Sequence, residues 1–234
     1  MHSSSVFIPD VSVILPCAGL GTRFSAPYSK ELHCLAPGVT VLDRSLEAVV
    51  KLAESGLNVR LVVVFGTHKL DTVRYLARYA ETFQMVFVYQ NESLEPGLDG
   101  AIRSALPMTH GPVALVLPDI VVSDADSAGS LLTALLHVEV TGWSVVAAEE
   151  RDPDVLRQMG ALAVVEAGGF STVGAATDKP TDPSGFNAFW GMVAATESEA
   201  HKLPDVVRRG ADSPLAGAVA LMVEGIINYN TPAG

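Results

Sequence analysis

The segment that follows the first apolar run of the chain combines small residues with two cations. It reads PCAGLGTRFSAPYSKEL over residues 16–32 and contains Gly19, Gly21, Thr22, Arg23 and Lys30. Glycines let backbone N–H groups approach a phosphate without interference from a Cβ. Arg23 offers a planar fork of donors for phosphate oxygens, and Lys30 offers a compact charge for a second phosphate. The segment therefore predicts a polyphosphate-binding loop.

The glycine spacing excludes two common phosphate-binding motifs. The dinucleotide fingerprint needs a third glycine that is missing here, and the P-loop needs a G-K-[ST] ending. On the loop alone, the alternative is a tight strand-to-helix turn with two surface cations.

Further charged residues follow apolar runs. Asp119 ends the strand-like run ALVLPDI, where it can be a metal ligand or a helix N-cap or turn aspartate. Asp178 and Lys179 precede Pro180, and a solvated turn lysine is the alternative for Lys179. The sequence contains no H-E-x-x-H or G-x-S-x-G motif, so zinc-protease and serine-hydrolase chemistry are not predicted.

The elements that would position these residues alternate in the first two-thirds of the chain. Short apolar runs predict strands over 11–17, 59–65, 85–90, 112–120 and 143–150. Helical spacing of apolar residues predicts helices over 41–56, 68–81, 97–108 and 125–140. This alternation is typical of βαβ units and a parallel sheet, with ligands at the carboxyl ends of the strands.

The pattern changes after about residue 150. We expect a hairpin within 159–180, a strand over 186–195, and helices over 197–210 and 213–226. The predicted fold class is α/β, a Rossmann-like three-layer sandwich with a mainly parallel sheet plus a smaller β-rich lobe. We expect one domain over 1–234, divided into halves at about residue 150.

Composition limits the partners. The chain has a net charge of −11 and two cysteines. A nucleic-acid partner is not expected, because phosphate contacts demand a basic face. Neither a signal peptide nor a run of about 18 apolar residues is visible, so we expect a cytoplasmic protein without a membrane partner.

The string LPCAGLGTRFSAPYSKEL resembles the signature of the sugar-1-phosphate nucleotidyltransferases, which join a nucleoside triphosphate to a sugar phosphate and release pyrophosphate. The resemblance implies catalytic roles for Arg23 and Lys30. It implies that the nucleotide is bound by the loop residues Cys17, Ala18, Gly19, Leu20, Gly21 and Thr22. Ser29 departs from the family pattern, which has proline before the lysine.

Later segments extend the resemblance to the nucleobase and the metal. In YQNESLEPGLDGAIRSA, the resemblance implies that Gln90, Gly97 and Leu98 read the base. It makes Asp119 a ligand of a Mg²⁺ cofactor. Asn228 in NYNTPAG stands where the family has a second metal-binding aspartate, and its amide oxygen could ligate the metal without adding charge.

The acceptor side rests on three further matches. TDKP resembles the family motif E-K-P, which implies that Asp178 holds acceptor hydroxyls and that Lys179 positions the reacting phosphate as a catalytic residue. Gly160 matches a glycine near the sugar. Trp190 is expected in the core, with a wall of the acceptor pocket as the alternative, and the β-rich lobe would bind the sugar.

The function expected from the resemblance is Mg²⁺-dependent transfer of a nucleotide to a sugar-1-phosphate. The partners are then an NTP and a phosphorylated small-molecule acceptor, and a homo-oligomer stays open. One alternative is a cytidylyltransferase for a non-sugar phosphate or phosphonate, such as phosphocholine or a cyclitol phosphate. Another is a degraded homologue that binds nucleotide or sugar phosphate and regulates a partner.

Overall fold

The computed structural model describes residues 10–19, 28–91, 96–123, 127–167, 169–208 and 213–229. The strands in these ranges are β1 Val11–Pro16, β2 Cys34–Ala36, β3 Val39–Thr40, β4 Val59–Phe65, β5 Gln84–Tyr89, β6 Val113–Val116, β7 Ile120–Val122, β8 Trp143–Glu149, β9 Gly160–Ala167, β10 Phe170–Asp178, β11 Ala188–Ala195, β12 Val219–Val223 and β13 Ile226–Asn228. The helices are α1 Val41–Ser45, α2 Glu47–Glu54, α3 Leu70–Leu76, α4 Gly97–Ala105, α5 Ser127–Thr141, α6 Pro153–Leu156 and α7 Leu203–Val206. Short 3-10 helices span Lys30–Leu32, Ala77–Tyr79, Leu106–Met108 and Ala200–Lys202.

Nine strands form one mixed sheet in the order β5-β4-β1-β6-β11-β8-β12-β10-β9. Seven of them run in one direction, and β10 and β11 run in the other. β1 lies between β4 and β6 and is parallel to both. Every residue of β1 is buried, as expected for a parallel strand with both faces covered.

Apolar side chains pack on both faces of this sheet. On one face, Ile14 and other strand residues contact Ile102 of α4 and Leu203 of α7. On the opposite face, Leu15 belongs to a cluster that includes residues of α1, α2, α3 and α5, such as Leu52. Among the described residues, no helix is long and apolar enough to cross a membrane.

The predicted βαβ alternation is confirmed, with shifts at element boundaries. The helix predicted over 41–56 is two helices, α1 and α2, which meet at Leu46. The helix predicted over 213–226 is wrong, because β12 occupies its centre and is parallel to β8. Pairing in the sheet and burial of Val219 and Ala220 override the helix-like spacing of this apolar run.

A separate two-stranded pair brings the last described residues back to the sheet edge. β13 pairs antiparallel with β7, so that Asn228 lies opposite Ile120. The backbone N–H of Tyr229 donates to the carbonyl oxygen of Asp119 at 2.9 Å. This pair therefore fixes Asn228 next to Asp119, which lies in the turn before β7.

Asp43 joins α1 to the segment 75–79, and its ionisation should make stability depend on pH. It accepts hydrogen bonds from the Thr40 N–H at 2.7 Å and from the hydroxyls of Tyr75 and Tyr79 at 2.6 Å. Burial raises the pKa of Asp43, but these hydrogen bonds outweigh burial and hold the pKa below its usual value. A carboxylate with a lowered native pKa stabilises above its unfolded pKa of about 4 and loses that contribution as pH falls.

We expect Asp43→Asn to lower the free energy of unfolding by about 1–2 kcal/mol at pH 7, because it weakens hydrogen bonds to a charged acceptor. The difference between wild type and variant should shrink below pH 4. Urea unfolding at pH 7 and pH 3.5 measures both. An equal difference at the two pH values would count against an ionised Asp43.

Candidate active site

A cavity of about 500 Å³ opens beside the carboxyl ends of the central parallel strands. One wall consists of residues that directly follow β1, β5 and β6, namely Cys17, Gln90 and Leu117. The facing wall includes Gly160 of β9 and Trp190 of β11. This position is where open α/β sheets bind ligands, since the strand ends leave a crevice there.

The cavity gathers residues that are far apart in the sequence. Each predicted site residue within the described ranges lines it, namely Cys17, Ala18, Gly19, Lys30, Gln90, Gly97, Leu98, Asp119, Gly160, Asp178, Lys179, Trp190 and Asn228. Leu20, Gly21, Thr22 and Arg23 lie outside the described residues. The predicted residues therefore share one location, while their individual roles stay predictions.

Lys30 and Asp119 form an ion pair at the base of the cavity. Their side chains are 19% and 11% exposed, so the pair is only partly screened by water. β7 begins at Ile120, so no helix starts after Asp119 and the helix N-cap interpretation of this residue is wrong. The Asp119 carboxylate faces the cavity, bound to a catalytic candidate from another segment.

The oxygen donors at and near Asp119 fit a magnesium ion whose remaining ligands come from a substrate. Asn228 reaches the same cavity, and its Nδ2 lies 2.9 Å from the Met159 Sδ. Within the described ranges, no group of three or more His, Cys, Asp or Glu residues could hold a metal. Mg²⁺ is commonly bound by one or two carboxylates plus substrate phosphates and water, a set to which Asp119 and the Asn228 amide can contribute.

Gln90 is fixed by the start of α4. It is buried, and its Nε2 donates to the Gly97 carbonyl oxygen at 2.8 Å. Its backbone N–H donates to the carbonyl oxygen of Phe65 at 2.9 Å. Gly97 has a φ of +76°, which favours glycine. The turn therefore fixes the Gln90 amide at the cavity wall.

Lys179 lines the cavity and has a strained backbone. Its φ is +50°, and in the described part of the chain it is the one residue other than glycine with a positive φ. Its N–H donates to the Met159 carbonyl oxygen at 2.9 Å, and its Nζ lies 3.1 Å from Asp178 Oδ2. Such a conformation costs about 1 kcal/mol or more and is concentrated at functional sites.

Trp190 is a core residue that also lines the cavity, while its place in an acceptor pocket stays a prediction. It is 4% exposed, and its indole lies directly over the backbone of Gly160. A Cβ at Gly160 would come within 1.9 Å of Trp190 Nε1 and 2.5 Å of Cε2. Only glycine at this position lets the indole occupy its site.

We expect Gly160→Ala to displace the indole and to destabilise the protein by about 1–3 kcal/mol, the usual cost of overpacking. Tryptophan emission and denaturant unfolding report the two effects. Gly185→Ala is a matched control, because a Cβ there meets no atom within 4 Å. If the two variants behaved alike, the packing assigned to Trp190 would be wrong.

Sequence reasoning missed a buried ion pair at the floor of the cavity. Lys69 Nζ donates to Glu31 Oε1 at 3.0 Å and Oε2 at 2.9 Å, and both side chains are at most 4% exposed. Thr72 Oγ1 donates to Glu31 Oε1 at 2.7 Å. The sequence offers only a weak signal for this pair. Lys69 lies four residues beyond the buried strand β4, and Glu31 adjoins Lys30.

Comparison with known proteins places these features in context. No protein-family model matches the chain. It is 32% identical over 135 residues to the bifunctional protein GlmU of Geobacter metallireducens, a match covering 54% of this chain and 26% of that protein. The chain therefore spans about a quarter of the length of this curated relative.

Solved structures share the fold over almost the full length of the chain. An apo UDP-glucose pyrophosphorylase has a TM-score of 0.67 at 15% identity and covers 94% of this chain and 93% of its own. The inositol-1-phosphate CTP transferase from T. maritima has a TM-score of 0.64 at 13% identity, covering 94% and 89%. The chain is therefore similar to nucleotidyltransferases in its motifs and over about half of its sequence, and it shares the fold of the two solved structures.

Proposed function

We propose that this protein condenses a nucleoside triphosphate with a sugar-1-phosphate, giving a nucleoside diphosphate sugar and pyrophosphate. One observation carries the proposal: a single cavity contains both the Lys30–Asp119 pair and the Lys179–Asp178 pair. Two lysines that line one cavity, each paired with a carboxylate, match the need to bind two phosphorylated substrates together.

The reaction requires charge control more than proton transfer. The attacking oxygen belongs to a phosphate that is already anionic, so no general base is needed. Two polyanions must approach each other, and negative charge grows on the leaving pyrophosphate. Preorganised cations and N–H donors stabilise such charge in a partly dehydrated site, and orientation supplies much of the remaining acceleration.

Each cavity residue receives a role in this scheme. Lys30 neutralises charge near the α-phosphate, and Lys179 positions the attacking phosphate. Asp178 accepts hydrogen bonds from acceptor hydroxyls, and Gln90 reads the base. The glycine-rich loop with Arg23 would stabilise the leaving phosphates.

Magnesium is proposed as the cofactor, held by Asp119 and by the amide oxygen of Asn228. When bound, it would supply positive charge to the reacting phosphates. The charge of Lys30 serves the same purpose from the protein side, and its pairing with Asp119 keeps the lysine aimed at the cavity.

We assign nucleotide binding to residues 1–150 and acceptor binding to residues 151–234. In this division, the β9–β10 hairpin and β11 form the sugar-binding lobe of a three-layer Rossmann-like arrangement.

A second candidate is transfer of a nucleotide to a cyclitol phosphate. The fold likeness to an inositol-1-phosphate CTP transferase supports this candidate. A cyclitol phosphate also resembles a sugar-1-phosphate, since each is a hydroxylated ring with one phosphate. The carboxylate of Asp178 is suited to accept hydrogen bonds from the hydroxyls of either acceptor. A regulatory homologue without turnover is the third candidate, and Asn228 in place of an aspartate favours it.

Pyrophosphate release separates these candidates. Purified protein is assayed with each of ATP, CTP, GTP and UTP, with Mg²⁺, against glucose-1-phosphate, N-acetylglucosamine-1-phosphate, inositol-1-phosphate and phosphocholine. Release that requires a sugar-1-phosphate supports the first candidate. Release only with inositol-1-phosphate supports the second, and nucleotide binding without release supports the third.

A further inference from the structure

The segment that carries Lys30 is fastened on both sides to the beginning of α3. On one side, the N–H of Ser29 donates to Asp71 Oδ2 at 3.2 Å and its Oγ donates to Oδ1 at 2.8 Å. On the other side, Glu31 is held by Lys69. Lys30 thus lies between two residues whose side chains hydrogen-bond to residues within 69–72.

This fastening is needed because the segment has little structure of its own. Lys30–Leu32 is a single 3-10 turn, closed by the Leu32 N–H to the Ser29 carbonyl oxygen at 2.9 Å and the His33 N–H to the Lys30 carbonyl oxygen at 3.0 Å. One isolated turn fixes its dihedral angles poorly, because few hydrogen bonds offset the ordering entropy. Its position must come from contacts to another element.

We infer that Asp71 is a positioning residue, which holds Lys30 at the reacting phosphates by fixing Ser29. The inference rests on the proposed function for its kinetic consequence. A misplacement of about 1 Å in a charged group can cost on the order of 100-fold in rate. The Glu31–Lys69 pair completes the same support from the other side.

The backbone conformation of Ser29 indicates what its hydrogen bonds to Asp71 do. Ser29 has φ −61° and ψ 131°, and a proline ring locks φ at about −65°. The two hydrogen bonds that Ser29 donates to Asp71 therefore hold Ser29 in a conformation that proline would impose covalently. Burial raises the pKa of Asp71, but the hydrogen bonds from Ser29 outweigh it and keep the pKa below its usual value, so the acceptor is ionised at neutral pH.

A double-mutant cycle tests the inference. We expect Asp71→Ala to lower kcat by about 10- to 100-fold while KM for the nucleotide changes little, because the loss is one of orientation. In a Lys30→Ala background, Asp71→Ala should have almost no further effect, since Asp71 acts through Lys30. Additive losses in the two backgrounds would overturn the inference.

Proline provides a rescue that a general structural role would not allow. Adding Ser29→Pro to Asp71→Ala should recover kcat about two- to fivefold, because the ring restores φ without the carboxylate. Absence of rescue contradicts the role assigned to Asp71. Glu47→Ala is the matched control, since Glu47 is an exposed acid in the first turn of α2, and it should leave kcat unchanged. If Asp71→Ala does not fold, Asp71→Asn replaces it in both tests.

Amide hydrogen exchange separates this inference from the proposed function. The N–H groups of Leu32 and His33 should exchange faster in Asp71→Ala than in Glu47→Ala, with or without substrates. Faster exchange in a protein that releases no pyrophosphate would show that Asp71 orders the Lys30 segment, and it would refute the proposed transferase function. Unchanged exchange in an active enzyme would refute the role of Asp71 alone.

Discussion

Lys30→Ala should lower kcat/KM for pyrophosphate release by about 100-fold or more, the loss seen when one preorganised donor is removed from a developing charge. The structure places Lys30 Nζ on Asp119 inside the cavity, with the side chain 19% exposed. In the proposed reaction, its charge would act on the reacting phosphates with little screening from water. Arg23→Ala is expected to cost a similar factor from the loop side.

Two further variants make this result specific. Lys51→Ala removes an exposed lysine of α2 that pairs with Glu54, and its activity should equal that of wild type. Lys30→Arg keeps the charge but changes its shape, and we expect partial activity. Near-normal turnover of Lys30→Ala would remove Lys30 from the catalytic site.

Glu31→Leu should be the most destabilising single change near the cavity, lowering the free energy of unfolding by about 3–5 kcal/mol. The substitution leaves the Lys69 ammonium group, which is 4% exposed, without its counter-ion. It also removes the acceptor of Thr72 Oγ1. For a chain of this length, the melting temperature should fall by about 6–20 °C.

The double variant Glu31→Leu/Lys69→Met separates the unpaired charge from the loss of packing. Replacing both partners of a buried ion pair by apolar residues is often neutral or stabilising, so most of the lost stability should return. Glu54→Ala breaks an exposed pair and should cost about 0–1 kcal/mol. A single variant as stable as Glu54→Ala would refute the energetic role of the buried pair.

The location of the site could be predicted because its chemistry is carried by short local motifs. The predicted phosphate-binding motif combines small residues and cations within one short segment, residues 16–32. Asp119 lies three residues beyond the end of β6, and Lys179 directly follows β10. The topology of the parallel strands brings the residues after β1, β5 and β6 to one edge, where the cavity is found. Lys179 reaches the same cavity from the end of β10, which runs in the opposite direction.

The features that sequence reasoning missed depend on long-range contacts. The pairing of Glu31 with Lys69, 38 residues apart, leaves no periodic signal. The strand β12 looked helical because its burial next to β8 is visible only in the folded sheet. The strand predicted over 112–120 breaks after Val116, and Pro118, which cannot donate a ladder hydrogen bond, lies in the break before Asp119.

The cavity lined by Lys30 is proposed to transfer a nucleotide to a phosphorylated acceptor. The most direct measurement is acceptor-dependent pyrophosphate release by wild type and Lys30→Ala at equal concentrations, with the four nucleoside triphosphates and Mg²⁺. Wild type should release pyrophosphate in step with a nucleotide-linked product, and Lys30→Ala should lose about 100-fold in this release. Nucleotide binding without release by wild type, under any pairing of nucleotide and acceptor, would contradict it.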